Sequence, residues 1–97
     1  MARFDLTARA KSDLAEIASY TSARWGQAQA EKYLDAIEAR LNLLAKQPLL
    51  GRARENLASG LLSFPIESHV AYYLRAAFGI VVLRVLHKRQ DLYRHIS

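Results

Sequence analysis

The run Gly79-Ile-Val-Val-Leu-Arg-Val-Leu-His87 decides the fold. It is nearly continuous in β-branched and aliphatic side chains, which marks a strand covered on both faces rather than one with a wet side. A central strand needs neighbours. Residues 70–75 read as the strand before it, joined across Ala76-Ala77-Phe78-Gly79, where Gly79 supplies the positive φ of a turn. Residues 61–67 read as a third strand, and Pro65, which has no backbone donor, puts that segment at an edge or beside a bulge. Near the start of the chain, Arg3-Phe4-Asp5-Leu6 alternates polar with apolar side chains, the period of a short half-buried strand.

The stretch between these strands is helical. Thr7 is placed to cap a first helix over about 7–24, because its hydroxyl accepts from backbone N–H groups of the first turn. Ala10, Leu14, Ile17, Ala18, Thr21 and Trp25 follow the three-or-four spacing of one buried face. Gly26 ends that helix and begins the next. Ala30, Tyr33, Leu34, Ile37, Leu41, Leu44 and Ala45 then line one side of a second helix over 27–46, which Pro48 stops. The short link makes the pair an antiparallel hairpin. Residues 48–60 carry Pro48, Gly51 and Gly60 with little periodicity and read as a loop. The expected fold is α+β, β-α-α-β-β-β, with the helical hairpin packed on a small, mainly antiparallel sheet.

Composition bounds what such a chain does. With 97 residues, 52% hydrophobic and 24% charged, it is expected to form one domain over 1–97. It has no cysteine, which excludes disulfides, thiolate metal sites and a cysteine nucleophile. The N-terminal residues lack the apolar core of a signal peptide, and no apolar stretch is long enough to span a bilayer, so a cytoplasmic protein with no membrane partner is expected. Residues 1–47 carry seven Lys/Arg against six Asp/Glu, a net +1, whereas residues 48–97 carry seven against three, a net +4. The positive field of the second half suits an acidic protein or a nucleic acid.

Arg84 is the most informative single position. Strict alternation puts it on the face of Ile80, Val82 and Leu86, and a buried arginine needs a partner. Either that face opens into a groove, or the guanidinium pairs internally, with Glu67 and Asp91 the candidates. Arg75 is placed on the same sheet surface, and two such groups are suited to hold a carboxylate or phosphate. His87 titrates in the physiological range and is a proton-transfer candidate. A structural role, closing the strand through Asp91, is the favoured alternative. His69 and His95 have no metal-ligand spacing, so neither a metal nor another cofactor is expected. Tyr72, Tyr73 and Phe64 would stack on bases if exposed. Core packing is preferred for them, with Tyr72 and Tyr73 on opposite faces.

Four segments together resemble a known family: Ala-Lys-Ser-Asp-Leu-Ala-Glu-Ile at 10–17, Arg-Trp-Gly-Gln-Ala-Gln-Ala-Glu-Lys-Tyr at 24–33, Gln-Pro-Leu-Leu-Gly-Arg at 47–52 and Leu-Arg-Val-Leu-His-Lys-Arg-Gln-Asp at 83–91. They look like ParE toxins of bacterial type II toxin–antitoxin systems, within the RelE/ParE superfamily. The resemblance implies neutralisation by a ParD-like antitoxin encoded nearby, inhibition of DNA gyrase by protein binding without catalysis, and contact with DNA only through the antitoxin. Partner contacts are then expected at Arg75, Arg84, Arg89, Tyr93 and Arg94, with structural roles for Trp25, Gly26, His87 and Asp91. The same fold serves RelE proteins, which cut messenger RNA on the ribosome, so fold alone leaves function open. For that alternative the acid, base and phosphate-binding groups would come from Arg84, His87, Arg75 and Tyr93.

Overall fold

The computed structural model describes residues 1–90. Strand β1 is Arg3–Leu6, followed by helices α1, Ala8–Trp25, and α2, Gln27–Lys46. A 3-10 turn at Pro48–Leu50 leads to β2, Arg52–Ala53, and then to β3, Leu62–Ile66, β4, His69–Ala76, and β5, Gly79–His87. The expected order is therefore present, with one addition. Two residues of the 48–60 loop pair as β2 along the start of β3, Arg52 with Ser63 and Ala53 with Leu62.

Local chemistry sets the helix ends. The Thr7 hydroxyl oxygen accepts from the Ala10 N–H at 3.1 Å and donates its own proton to the Leu83 carbonyl at 2.9 Å, so one side chain caps α1 and ties it to β5. Gly26 sits at φ 91°, ψ 162°, a conformation open essentially to glycine alone. Its N–H donates to the Ser22 carbonyl and its carbonyl accepts from the Ala30 N–H, so it closes one helix and opens the next within a single residue.

Among the described residues the sheet order is β1-β5-β4-β3-β2, with β1 parallel to β5 and the other pairings antiparallel. β5 is interior, as its composition requires. Pro65 lies in the part of β3 that extends past β2, where an absent donor disturbs no ladder. The hairpin covers one face. Ile17 of α1 and Ile37, Leu41 and Leu44 of α2 pack on Ile66, Ala71, Tyr73, Ile80, Val82 and Val85 of the sheet. The opposite face holds a smaller cluster of Leu61, Tyr72 and Leu86, roofed by Leu57 from the loop. Tyr72 and Tyr73 thus occupy opposite faces and both are core residues, while Phe64 packs partly buried on the helix side. The Tyr73 hydroxyl crosses to the loop and donates to the Pro48 carbonyl at 2.6 Å.

One expectation fails along β5. The register shifts between Tyr72 and Tyr73, which pair with Arg84 and Val82, so Leu83 has no partner opposite. A bulge of this kind breaks strict alternation. Val82 and Val85, three residues apart, consequently share the helix-side core, and Leu86, expected beside Ile80 and Val82, joins Tyr72 on the other face.

Candidate functional site

Next to the bulge, Arg84 reaches across to α1. Its Nε and one terminal nitrogen each donate to Asp13, to Oδ2 and Oδ1, both at 2.8 Å. The Val85 N–H adds a third bond, to Asp13 Oδ2 at 2.9 Å. Asp13 lies between Ala10 and Ile17 on the buried face of α1, and the two side chains are 9% and 13% exposed. The hydrogen bonds that Arg84 donates to Asp13 raise its pKa against the opposing effect of burial. Among the described residues, the internal partner of Arg84 is therefore Asp13, a residue not among the two expected acids. Glu67 sits in the β3–β4 turn, and Asp91 lies outside the described residues.

Arg84 also borders a groove of about 710 Å³, which runs between α1 and the end of β5. Arg9, Glu16 and Tyr20 form its helix wall, and Val85, His87 and Gln90 its sheet side. A second hollow continues it past Tyr20, Thr21, His69 and His87 toward Trp25, Gln29 and Tyr33. Tyr20 and Trp25 are 64% and 65% exposed, and the Arg24 guanidinium lies 5.8 Å from the Trp25 ring centre. Trp25 is thus not the buried structural residue its spacing predicts. It stands one turn beyond Thr21, the last buried residue of α1, at the rim of the second hollow.

Where the two hollows meet, three rings stack. Tyr33 and His69 meet edge to face at 5.6 Å, and His69 and His87 at 5.3 Å. The Tyr33 hydroxyl oxygen accepts from the Ser68 N–H at 3.1 Å and lies 2.7 Å from His69 Nδ1. Which of the two donates in that contact is set by the tautomer of His69. Burial first, then the neighbouring His87, lowers the His69 pKa, with Asp13 opposing weakly. His87 is fixed by backbone. Its N–H donates to Gln90 Oε1 at 2.6 Å, its carbonyl accepts from the Gln90 N–H at 2.9 Å, and its Nδ1 accepts from the Arg89 N–H at 3.2 Å. Gln90 thus closes the strand, while Asp91, the residue expected to do so, lies outside the described residues.

The remaining predicted residues are dispersed. Arg75 is exposed opposite Ile80, three positions along β4 from the partner of Arg84, roughly 10 Å away along the strand. It borders neither hollow. Arg89 is exposed just beyond β5, and Tyr93 and Arg94 lie outside the described residues. Arg84 and His87 thus share a groove, whereas Arg75 does not join them. Among the described residues no three His, Cys, Asp or Glu side chains converge as metal ligands, and no helix is long and apolar enough to cross a membrane.

Asp13, Tyr20 and His69 escaped the sequence reading. Only Asp13 carried a signal there: an acid on the apolar side of α1 implies a buried cation elsewhere.

A family model described as ParE toxin of type II toxin-antitoxin system, parDE, matches residues 4–92. The chain is 34% identical over 97 residues to Toxin ParE1 of Caulobacter vibrioides, covering 100% of both chains. It is 35% identical over 95 residues to Toxin ParE1 of Mycobacterium tuberculosis, 97% of each, and 32% identical over 98 residues to Toxin ParE of Escherichia coli, 100% of this chain and 95% of that one. A solved structure described as the chromosomal ParDE TA system from P. aeruginosa superposes with a TM-score of 0.76 at 21% identity, over 90% of this chain and 96% of that chain, a likeness of fold.

Proposed function

The chain belongs to the ParE toxin family of type II toxin–antitoxin systems, and from that premise we propose that it inhibits DNA gyrase by protein–protein binding and is neutralised by a ParD-like antitoxin. It acts in the cytoplasm as one domain over 1–97, and it meets DNA only through the antitoxin. The solved relative of the same fold is itself described as a ParDE system, which supports a toxin paired with an antitoxin.

The observation that carries the non-catalytic reading is the Asp13–Arg84 pair. Cutting RNA without a metal needs a cation on the phosphate and a base and acid on the two oxygens. Arg84 is held by a carboxylate that neutralises it, and His87 Nδ1 is occupied by a backbone N–H. Arg75 stands apart. The groove instead offers exposed aromatic rings beside polar rims, the composition of a protein-binding surface. In this reading Tyr20, Trp25, His87 and Gln90 contact the partner, Arg75 and Arg89 lie outside the groove and contribute through charge, and Arg84 positions the wall rather than touching the ligand.

Gyrase supercoiling assays with purified toxin test the proposal. Inhibition that antitoxin relieves is expected, together with unchanged in vitro translation. Normal supercoiling with saturating folded toxin rejects the gyrase target. Discrete cuts in translated messages, lost in His87→Ala, would establish the ribosome-dependent endoribonuclease instead.

A further inference from the structure

We propose that β1 is the contact edge of a two-fold symmetric homodimer, in which two copies of this chain join their sheets through antiparallel β1 strands. β1 is an outer strand. Its inner side is satisfied by β5: the Arg3 N–H donates to the Phe78 carbonyl at 2.8 Å and the Thr7 N–H to the Val82 carbonyl at 3.1 Å. In a parallel ladder alternate residues turn their backbone groups to the neighbour, so those of Ala2, Phe4 and Leu6 point to the open side. Among the described residues no hydrogen bond reaches them there. An open edge of this kind is a template for another strand.

The side chains say which strand. An edge guarded against pairing usually carries charges of one sign, which repel a second copy. β1 carries one of each, Arg3 and Asp5, with side chains 62% and 50% exposed. Centre an antiparallel pairing on Phe4, and Phe4 faces Phe4 of the second copy, Arg3 faces its Asp5, and Asp5 faces its Arg3. The outward backbone groups fall into the same register. Phe4 exchanges both its hydrogen bonds with its equivalent, and Ala2 and Leu6 exchange theirs, while Arg3 and Asp5 occupy the non-hydrogen-bonded sites where cross-strand side chains approach most closely. One residue of slip removes both matches. Within one copy, Arg3 Nε already lies 3.2 Å from Asp5 and its guanidinium 4.1 Å above the Phe78 ring, so the charges are held on one face before association. Phe4 and Leu6 pack on the helix-side core, and pairing would join the two cores across the axis. The same patch serving both partners is what a two-fold interface requires.

Sedimentation equilibrium on the purified full chain, from low to high micromolar, tests this. The mass should pass from one chain to two as concentration rises, and slowed amide exchange at Phe4 and Leu6 should accompany the change. Asp5→Lys sets like charges opposite each other and should raise the dissociation constant roughly tenfold or more. Arg3→Glu should do the same, and the exchange Arg3→Asp with Asp5→Arg should restore dimerisation. Circular dichroism and the thermal midpoint identify any variant that fails to fold, and the two single reversals are independent of each other. A single-chain mass at every concentration overturns the proposal. So does a dimer indifferent to both reversals, or protection of Phe4 and Leu6 that appears only when antitoxin is added, which would assign the edge to an antitoxin strand.

Discussion

Asp13 on α1 and Arg84 on β5, 71 positions apart in the chain, form a two-nitrogen, two-oxygen ion pair that the Val85 N–H completes. It pins the first helix to the central strand at the groove wall. Removing one partner from such a site leaves a poorly solvated charge, which typically costs about 3–5 kcal/mol. Asp13→Ala should therefore destabilise the protein severely, since it removes the carboxylate to which both the Arg84 guanidinium and the Val85 N–H donate. Replacing both residues, as Asp13→Leu with Arg84→Met, should cost less than Asp13→Ala alone. Urea unfolding of the three proteins checks this, and an Asp13→Ala loss below about 1 kcal/mol would show that the pair is not structural.

His69 gives the protein a sign-defined response to acid. Its pKa is lowered in the folded state by burial and by His87, so the unfolded chain takes up the proton first as pH falls. The stabilisation is fully present above the ordinary imidazole value and drains away as pH drops through that value toward the folded one. Arg9, Asp13, Glu16 and Arg84 from α1 and β5 line the same groove, with Asp13 partly offsetting the shift. Stability measured between neutral pH and pH 5 should fall more steeply for the native chain than for His69→Gln. Parallel curves would remove His69 as the source.

How far these features could be read beforehand depended on the range of their causes. The ends of α1 and α2, the role of Gly26 and the interior position of β5 all follow from neighbouring residues: a capping hydroxyl, a glycine between two periodic runs, Pro48, and unbroken aliphatic composition. The bulge at Leu83 leaves no local mark, because a register shift belongs to the pairing of β4 with β5. Asp13, the partner of Arg84 among the described residues, lies 71 positions away on another element, and a pairing of that range is not visible from the residues around Arg84. Trp25 fitted the spacing of a buried face, but spacing does not report how far along a helix the burial extends.

Gly26 is a position where backbone conformation alone sets the cost. A Cβ there would meet nothing within 4 Å, yet its dihedrals lie where side-chain-bearing residues are strained by about 1–3 kcal/mol. Gly26→Ala should lower the thermal midpoint by several degrees, on the order of 4–8 °C per kcal/mol for a chain of this size. Gly26→Asn should fare no better, because asparagine tolerates the left-handed helical region rather than this one. An unchanged midpoint in Gly26→Ala would mean that the hairpin turn relaxes at no cost.

Trp25 separates stability from recognition. It is exposed at the end of α1 and absent from both core clusters, so Trp25→Ala should change unfolding free energy by no more than about 0.5 kcal/mol. Large aromatic side chains on an open groove are where binding energy concentrates, and a residue that anchors a partner typically costs about 2 kcal/mol or more on truncation, near thirtyfold in affinity. If the groove takes the antitoxin or the toxin's target, Trp25→Ala and Tyr20→Ala should each weaken one of those complexes by that order in calorimetric titration, while folding is unaffected. Arg75→Ala supplies the comparison: an exposed arginine outside the groove should reduce affinity only slightly, and mainly at low salt. The reverse pattern, with Arg75 dominant and both aromatic residues silent, would move the binding surface from the α1 groove to the open end of β4.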